Sequence, residues 1–254
     1  MSGVNGKVVM VTGTASDPGL GRSIALLLGA RGARVVATDI DGIGAEGCAA
    51  AIRAGGGSAI GLPHDVVSED DWRSVMETTL RSFGRLDVLV NNAGIAILKR
   101  TEDLTLADWN RQIATNLTSV FIGSRSAMEQ MKACGGGSII NMSSVAGLVG
   151  MKRCVAYGAS KGGVRAMSKS IAIDGAEHNV RCNSVHPGLI WTNMQAAAVG
   201  SNSITDARVS PDRVPLGRAG QPDDVAHCVL YLASDEASYV TGAEFTVDAG
   251  MTAL

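Results

Sequence analysis

The sequence predicts an α/β fold, a doubly wound parallel sheet of seven strands with helices on both faces. Three observations carry that prediction. Short runs rich in valine and isoleucine recur along the 254 residues, each bounded by turn residues. Longer stretches with helical spacing lie between the runs, the mark of βαβ units. Most runs are apolar on both faces, as strands buried in a parallel sheet are. No linker, charge block or repeat divides the chain, so residues 1–254 are expected to form one domain.

The first strand, residues 7–12, is the run KVVMVT and stops at a glycine-rich turn that opens helix 21–31. Strand 34–39 (RVVATD) ends in an acidic residue; helix 42–54 leads to strand 58–63 through Gly55 to Gly57, read as a flexible αβ turn. Helix 69–83 leads to strand 86–91, and a long helical stretch, 106–133, reaches strand 138–142 through a second glycine turn, Gly135 to Gly137. Helix 156–177 is followed by strand 180–186. Residues 193–222, rich in Ala, Ser, Asn and Asp, read as a long irregular substrate loop of the kind that closes over a site. Helix 223–233 and strand 244–247 complete the sheet.

Composition excludes several classes of function. Hydrophobic residues make up 46% and charged residues 18%, so the chain is not disordered, and a net charge of -2 leaves no basic footprint for nucleic acid. The 32 glycines follow no three-residue period and there are only six prolines, which excludes a collagen-like repeat. Five widely spaced cysteines without a Cys-x-x-Cys pair or clustered histidines suggest neither a disulfide framework nor a metal site. The N-terminal run meets Thr12 and Gly13 rather than a cleavage site, and no apolar run reaches the ~18 residues of a membrane span. The expectation is a cytoplasmic protein that acts on a small molecule, with no membrane or nucleic-acid partner.

The turn after the first strand reads Thr12-Gly13-Thr14-Ala15-Ser16-Asp17-Pro18-Gly19-Leu20-Gly21. Glycines there let backbone approach a pyrophosphate, and the following helix start offers free N–H groups and a positive dipole end to it. Asp39 closes the second strand about 18 residues later, where a carboxylate can accept from an adenosine ribose and would repel a 2′-phosphate. NAD is therefore expected in preference to NADP. Further along, Tyr157 and Lys161 stand four apart in AYGASK, on one helical face. Asn91-Asn92-Ala93-Gly94, Ser143-Ser144 and His186-Pro187-Gly188 all lie at carboxyl ends of strands, where α/β sheets bind ligands.

With these motifs in order, the chain resembles the short-chain dehydrogenase/reductase family from about Gly6 to Gly250. The matching pieces are the glycine-rich turn, Asp39, HDV at His64 to Val66, NNAG, Asn116, INMSS, AYGASK, HPG and VTGAEFTVDAG. The resemblance implies a one-domain Rossmann-type fold and a catalytic tetrad of Asn116, Ser144, Tyr157 and Lys161; Ser144 is chosen because it stands thirteen positions before Tyr157. It also implies cofactor contacts from Gly13, Gly19, Leu20 and Gly21 at the pyrophosphate, and from Asp65 and Val66 beside the adenine. Asn92, Ala93 and Gly94 would lie along the middle of the cofactor, with Pro187, Gly188, Ile190 and Thr192 at the carboxamide and Tyr157 and Lys161 contributing from the tetrad. Asn91 and Asn183 fit a structural role as well as a ligand contact, and His186 is read as structural.

The residue types suit alcohol oxidation. A base must take the hydroxyl proton while a hydride leaves the carbinol carbon, and a phenol begins with a pKa of about 10. Bringing it down about three units requires roughly 4 kcal/mol of preferential anion stabilisation, assigned here to the Lys161 ammonium and the nicotinamide charge. Tyr157 is then the general acid/base, Ser144 stabilises charge on the substrate oxygen, Lys161 also holds the nicotinamide ribose, and Asn116 supports a water in a proton relay.

One departure stands out: five residues separate Gly13 from Gly19 where the family usually has three, as though Asp17-Pro18 were inserted. A carboxylate would repel pyrophosphate and proline donates no N–H, so the pair is expected to bulge away. The substrate wall, drawn from motif neighbours, comprises Ile95, Ala96, Ile97, Val145, Met151, Cys154, Trp191 and Met194, and suits a hydrophobic or cyclic secondary alcohol or ketone. The rival is an NADPH-dependent 3-oxoacyl-[acyl-carrier-protein] reductase, disfavoured because Ile173 stands where that branch often carries arginine and because of Asp39. A non-catalytic nicotinamide-binding sensor or scaffold is a more remote alternative, since every tetrad residue is present. The resemblance further implies a homotetramer.

Overall fold

A computed structural model describes residues 3–199 and 213–254. Its strands are β1 (Val8–Thr12), β2 (Arg34–Asp39), β3 (Ser58–Pro63), β4 (Val88–Asn91), β5 (Gly137–Met142), β6 (Val180–Pro187) and β7 (Glu244–Val247). Its α-helices are α1 (Leu20–Ala30), α2 (Gly42–Ala54), α3 (Glu69–Phe83), α4 (Leu106–Ile113), α5 (Ser119–Ala133), α6 (Val155–Ala176), α7 (Asn193–Val199) and α8 (Pro222–Ala233). The strands form one parallel sheet in the order β3-β2-β1-β4-β5-β6-β7. The seven-stranded, doubly wound, Rossmann-type sheet expected from the sequence is thus the observed one.

Alternation along β1 explains why both faces are covered. Val9 and Val11 pack with Ile24 and Leu28 of α1 and Val225 and Val229 of α8, whereas Val8 and Met10 face Trp72 and Met76 of α3 and Ile122 and Met131 of α5. All four β1 side chains are fully buried, and each buried Val or Met of this kind contributes about 1.5–3 kcal/mol of transfer free energy. Local signals end the helices: Ser68 caps α3 by accepting from the Asp71 N–H, and Gly84 closes it in the left-handed region at φ 80°. The glycine turns at Gly56 and Gly135 also take positive φ, 84° and 83°.

Two expected elements differ. The single helix over 106–133 is interrupted by a π-helical turn, Ala114–Thr118, because Asn116 turns inward to bond the backbone of Ile95 rather than follow an amphipathic face. The expected loop over 193–222 begins as α7; its Met, Gln and Ala residues favour helix without needing an apolar period. Residues 200–212 of that loop lie outside the described residues. No helix among the described residues is long and apolar enough to cross a membrane.

Candidate active site

The strand order turns back between β1 and β4, and open α/β sheets bind ligands at the carboxyl ends of strands at such a point. A cleft of about 250 Å³ lies there. On its β1 side Gly13 takes φ +75°, and a Cβ on it would lie 2.9 Å from the Cα of Ala93. Asn92 ties the two loops together: its Nδ2 donates to the carbonyls of Thr12 (2.8 Å) and Gly13 (3.1 Å), and Thr12 Oγ1 accepts from the N–H groups of Asn92 and Ala93. Gly21 does not line the cleft; it packs behind the turn, where a Cβ would collide with the Gly13 carbonyl. Helix α1 starts at Gly19 with no side-chain cap and no acidic residue in its first turn, so its terminal N–H groups remain available to an anion.

Asp17 and Pro18 do not line the cleft, whereas Ser16, Gly19 and Leu20 do. The Asp17 carboxylate lies 3.1 Å from Arg22 Nε, turned to solvent. At the far end Asp39 accepts from the N–H groups of Ala15 (2.9 Å) and Asp41 (3.0 Å), which aims the carboxylate into the cleft. A carboxylate has about four acceptor directions, so about two remain for a ligand. Among the described residues lining the cleft, the one cation is Lys161.

The tetrad converges from three elements. Asn116, fully buried in the π turn, clasps one residue: its Oδ1 accepts from Ile95 N (2.8 Å) and its Nδ2 donates to Ile95 O (2.9 Å). Such turns recur at functional sites because they re-aim groups within a helix. Ser144, just beyond β5, accepts from the Ala146 N–H at 3.2 Å and stands close enough to Tyr157 to act on its phenol. Lys161, one helical turn after Tyr157 on α6, is 5% exposed; its Nζ donates to Met142 O at 2.7 Å and lies 5.8 Å from the Tyr157 ring centroid. Gly94 keeps the space narrow and open, since a Cβ there would stand 3.2 Å from Asn116 Oδ1 and 3.7 Å from Lys161 Nζ.

The electrostatics differ from the sequence expectation. Burial pushes the Tyr157 phenol above its ordinary value and outweighs the opposing influence of the Ser144 hydroxyl; Cys154 adds to the upward push. Burial likewise lowers the Lys161 ammonium to about 8. Among the chain's own groups, burial therefore disfavours the phenolate.

Of the other expected contacts, Ala93, Pro187, Gly188, Ile190 and Thr192 line the same cleft. Asp65 and Val66 do not: the Asp65 carboxylate accepts from Val67 N, and Val66 is core, its carbonyl accepting from Trp72 Nε1. From the expected substrate wall, Ile95 and Met194 line the cleft, but Ala96, Ile97, Val145, Met151, Cys154 and Trp191 do not. The Ile97 N–H is held by Gln112, Val145 is buried, and Met151 is exposed. Asn91 and Asn183 are structural, bonded to Asn141 and Ser124 and to Val240 and Ala243 respectively. His186, buried between Ser184 and the Ser144 carbonyl, is structural too. Sequence reasoning missed Met142, whose carbonyl holds Lys161, and Gln195, carried by the unexpected helix α7.

A family model described as enoyl-(acyl carrier protein) reductase matches residues 13–252. The chain belongs to the short-chain dehydrogenase/reductase family. Among members of that family it is 44% identical to a cyclopentanol dehydrogenase from Comamonas sp. (strain NCIMB 9872), over 100% of both chains. It is 43% identical to an NADP-dependent (R)-specific alcohol dehydrogenase from Lentilactobacillus kefiri, over 98% of each. A solved 7α-hydroxysteroid dehydrogenase, complexed with NADH and 7-oxo glycochenodeoxycholic acid, superposes with a TM-score of 0.91 at 31% identity, covering 98% of this chain and 95% of that one. With alcohol dehydrogenases as its relatives, the short-chain dehydrogenase/reductase reading holds and the acyl-carrier-protein alternative is not favoured.

Proposed function

We propose that this short-chain dehydrogenase/reductase moves a hydride between NAD(H) and a hydrophobic or cyclic secondary alcohol or its ketone, with Tyr157 as general acid/base. The observation that carries the reading is the convergence of Asn116, Ser144, Tyr157 and Lys161 at one end of a cleft whose other end holds Asp39. The residues fit a dinucleotide: a Gly13–Gly94 cradle that side chains would fill, uncapped N–H groups at α1, spare acceptor positions on Asp39, and a buried ammonium at Lys161. When bound, the nicotinamide ring supplies the hydride acceptor and a positive charge.

The chain's residues do the rest. Ser144 Oγ holds the substrate oxygen and offsets charge developing there. Tyr157 Oη takes the hydroxyl proton in oxidation and returns it in reduction. Lys161, with two of its three protons free of Met142, would hold the nicotinamide ribose and favour the phenolate. Asn116 fixes the loop at Ile95 and supports proton relay to solvent. Met142, Ile95, Ile190 and Met194 make the wall largely apolar, which suits a cyclic or aliphatic carbinol better than a sugar. Ile173 is 76% exposed where a carrier-protein reductase would present a cation. We place the enzyme in the cytoplasm as a homotetramer.

The test is absorbance at 340 nm with NAD+ and NADP+ against cyclopentanol, cyclohexanol and aliphatic, aryl and steroidal secondary alcohols. The expected result is oxidation with NAD+ favoured in kcat/KM. A strong preference for NADP+ contradicts the role of Asp39, and silence across the panel contradicts the activity.

A further inference from the structure

The lengthened glycine turn has a second neighbour besides Arg22. Asn193, the first residue of α7, rests on it: Nδ2 donates to Ser16 Oγ and to the Asp17 carbonyl, both at 3.1 Å, and the Asn193 N–H donates to the Pro18 carbonyl at 3.1 Å. Ser16 Oγ donates in turn to the Pro18 carbonyl at 3.3 Å. Three consecutive turn residues thus accept from one residue of α7, and two of them are the pair that exceeds the family spacing. The next residues of α7, Met194 and Gln195, enter the wall of the cleft that contains Ser144 and Tyr157.

We propose that Asn193 is a positioning residue and that the Ser16–Pro18 segment is the seat on which it fixes α7. The turn beside the dinucleotide site and the helix facing the alcohol then form one hydrogen-bonded unit. The consequence for turnover rests on the function proposed above; the docking itself does not. A simpler role is that Asn193 only supports the first turn of α7, which Thr192 caps by accepting from the Gln195 N–H at 3.3 Å, and the two roles differ in what they tolerate. Aspartate suits the first turn of a helix at least as well as asparagine does. At a seat made of carbonyls it removes the donor and sets a carboxylate against the Asp17 oxygen, while the Ser16 hydroxyl proton is already given to Pro18.

The experiment follows hydrogen exchange by mass spectrometry in the whole cofactor-free protein, over a peptide covering residues 191–196, for wild type, N193A, N193D and S16A. It is paired with steady-state kinetics on NAD+ and cyclopentanol. Losing two hydrogen bonds of ordinary strength should speed exchange and raise the alcohol KM by about tenfold in N193A. N193D should be worse than N193A, with kcat and the NAD+ KM changed less than about threefold. N193D indistinguishable from wild type, with N193A loosened, assigns first-turn support alone and overturns the proposal; so does unchanged exchange in both. If N193D does not fold, the S16A/N193A cycle decides: non-additive effects support the seat and additive effects overturn it. If wild type oxidises no alcohol, the functional reading fails while exchange still decides the docking.

Discussion

Lys161 carries three protons and has, among the described residues, one acceptor, the Met142 carbonyl at 2.7 Å. Burial brings its pKa from 10.5 down to about 8. The folded state therefore holds a costly ammonium below pH 8. Between pH 8 and about 10.5 the unfolded chain binds the extra proton, so stability rises with pH there. A shift of this size corresponds to about 3 kcal/mol at most, and losing the Met142 bond offsets about 1 kcal/mol of it. Lys161→Met should thus be about 1–2 kcal/mol more stable than wild type at pH 7, the gap closing towards pH 10, while turnover is lost. Urea denaturation at several pH values checks this; a variant less stable at pH 7 would show that the ammonium is not under strain. The AYGASK motif located this residue in the sequence, but not its energetic cost, because the acceptor is a backbone carbonyl that no side-chain pattern reveals.

At the scale of elements, strands were the most legible part and helix interruptions the least. β1, β2 and β5 announce themselves as apolar runs because both their faces meet helices. The π turn at Ala114–Thr118 leaves no such trace, since a one-residue shift in backbone bonding keeps the local composition helical. Its effect is to bring Gln112 and Asn116 onto the segment after NNAG, with Gln112 accepting from Ile97 N at 2.7 Å and donating to Ile95 O at 2.8 Å. Gln112 is fully buried. Gln112→Ala should cost about 1–3 kcal/mol in stability through the unpaired backbone groups, and raise the alcohol KM more than the NAD+ KM because the loosened wall faces the substrate. Denaturant midpoints and the two KM values test this; equal rises in both would remove Gln112 from the substrate side. α7 escaped sequence reading for the converse reason, being helical through Ala and Met propensity rather than through an amphipathic stripe.

At the scale of the whole molecule, the site is assembled by topology. Gly13 and Asp39 come from one half of the sheet, Ser144 and Gly188 from the other, and they meet because the strand order turns back between β1 and β4. Residues at strand ends were therefore legible as a set, whereas the substrate wall was not. It depends on how connecting segments fold over the strand ends, and Met151, Cys154 and Trp191 fell outside it despite their place beside motifs. In the proposed reaction this cleft separates dinucleotide binding from proton transfer, the latter residing in one phenol. The most direct measurement compares Tyr157→Phe with wild type by NADH binding, followed through nicotinamide fluorescence, and by alcohol oxidation at 340 nm. Removing a single oxygen should leave NADH affinity within about threefold and reduce kcat by at least about a hundredfold, the lower end of a general acid/base contribution. Wild-type turnover in Tyr157→Phe would contradict proton transfer at this phenol.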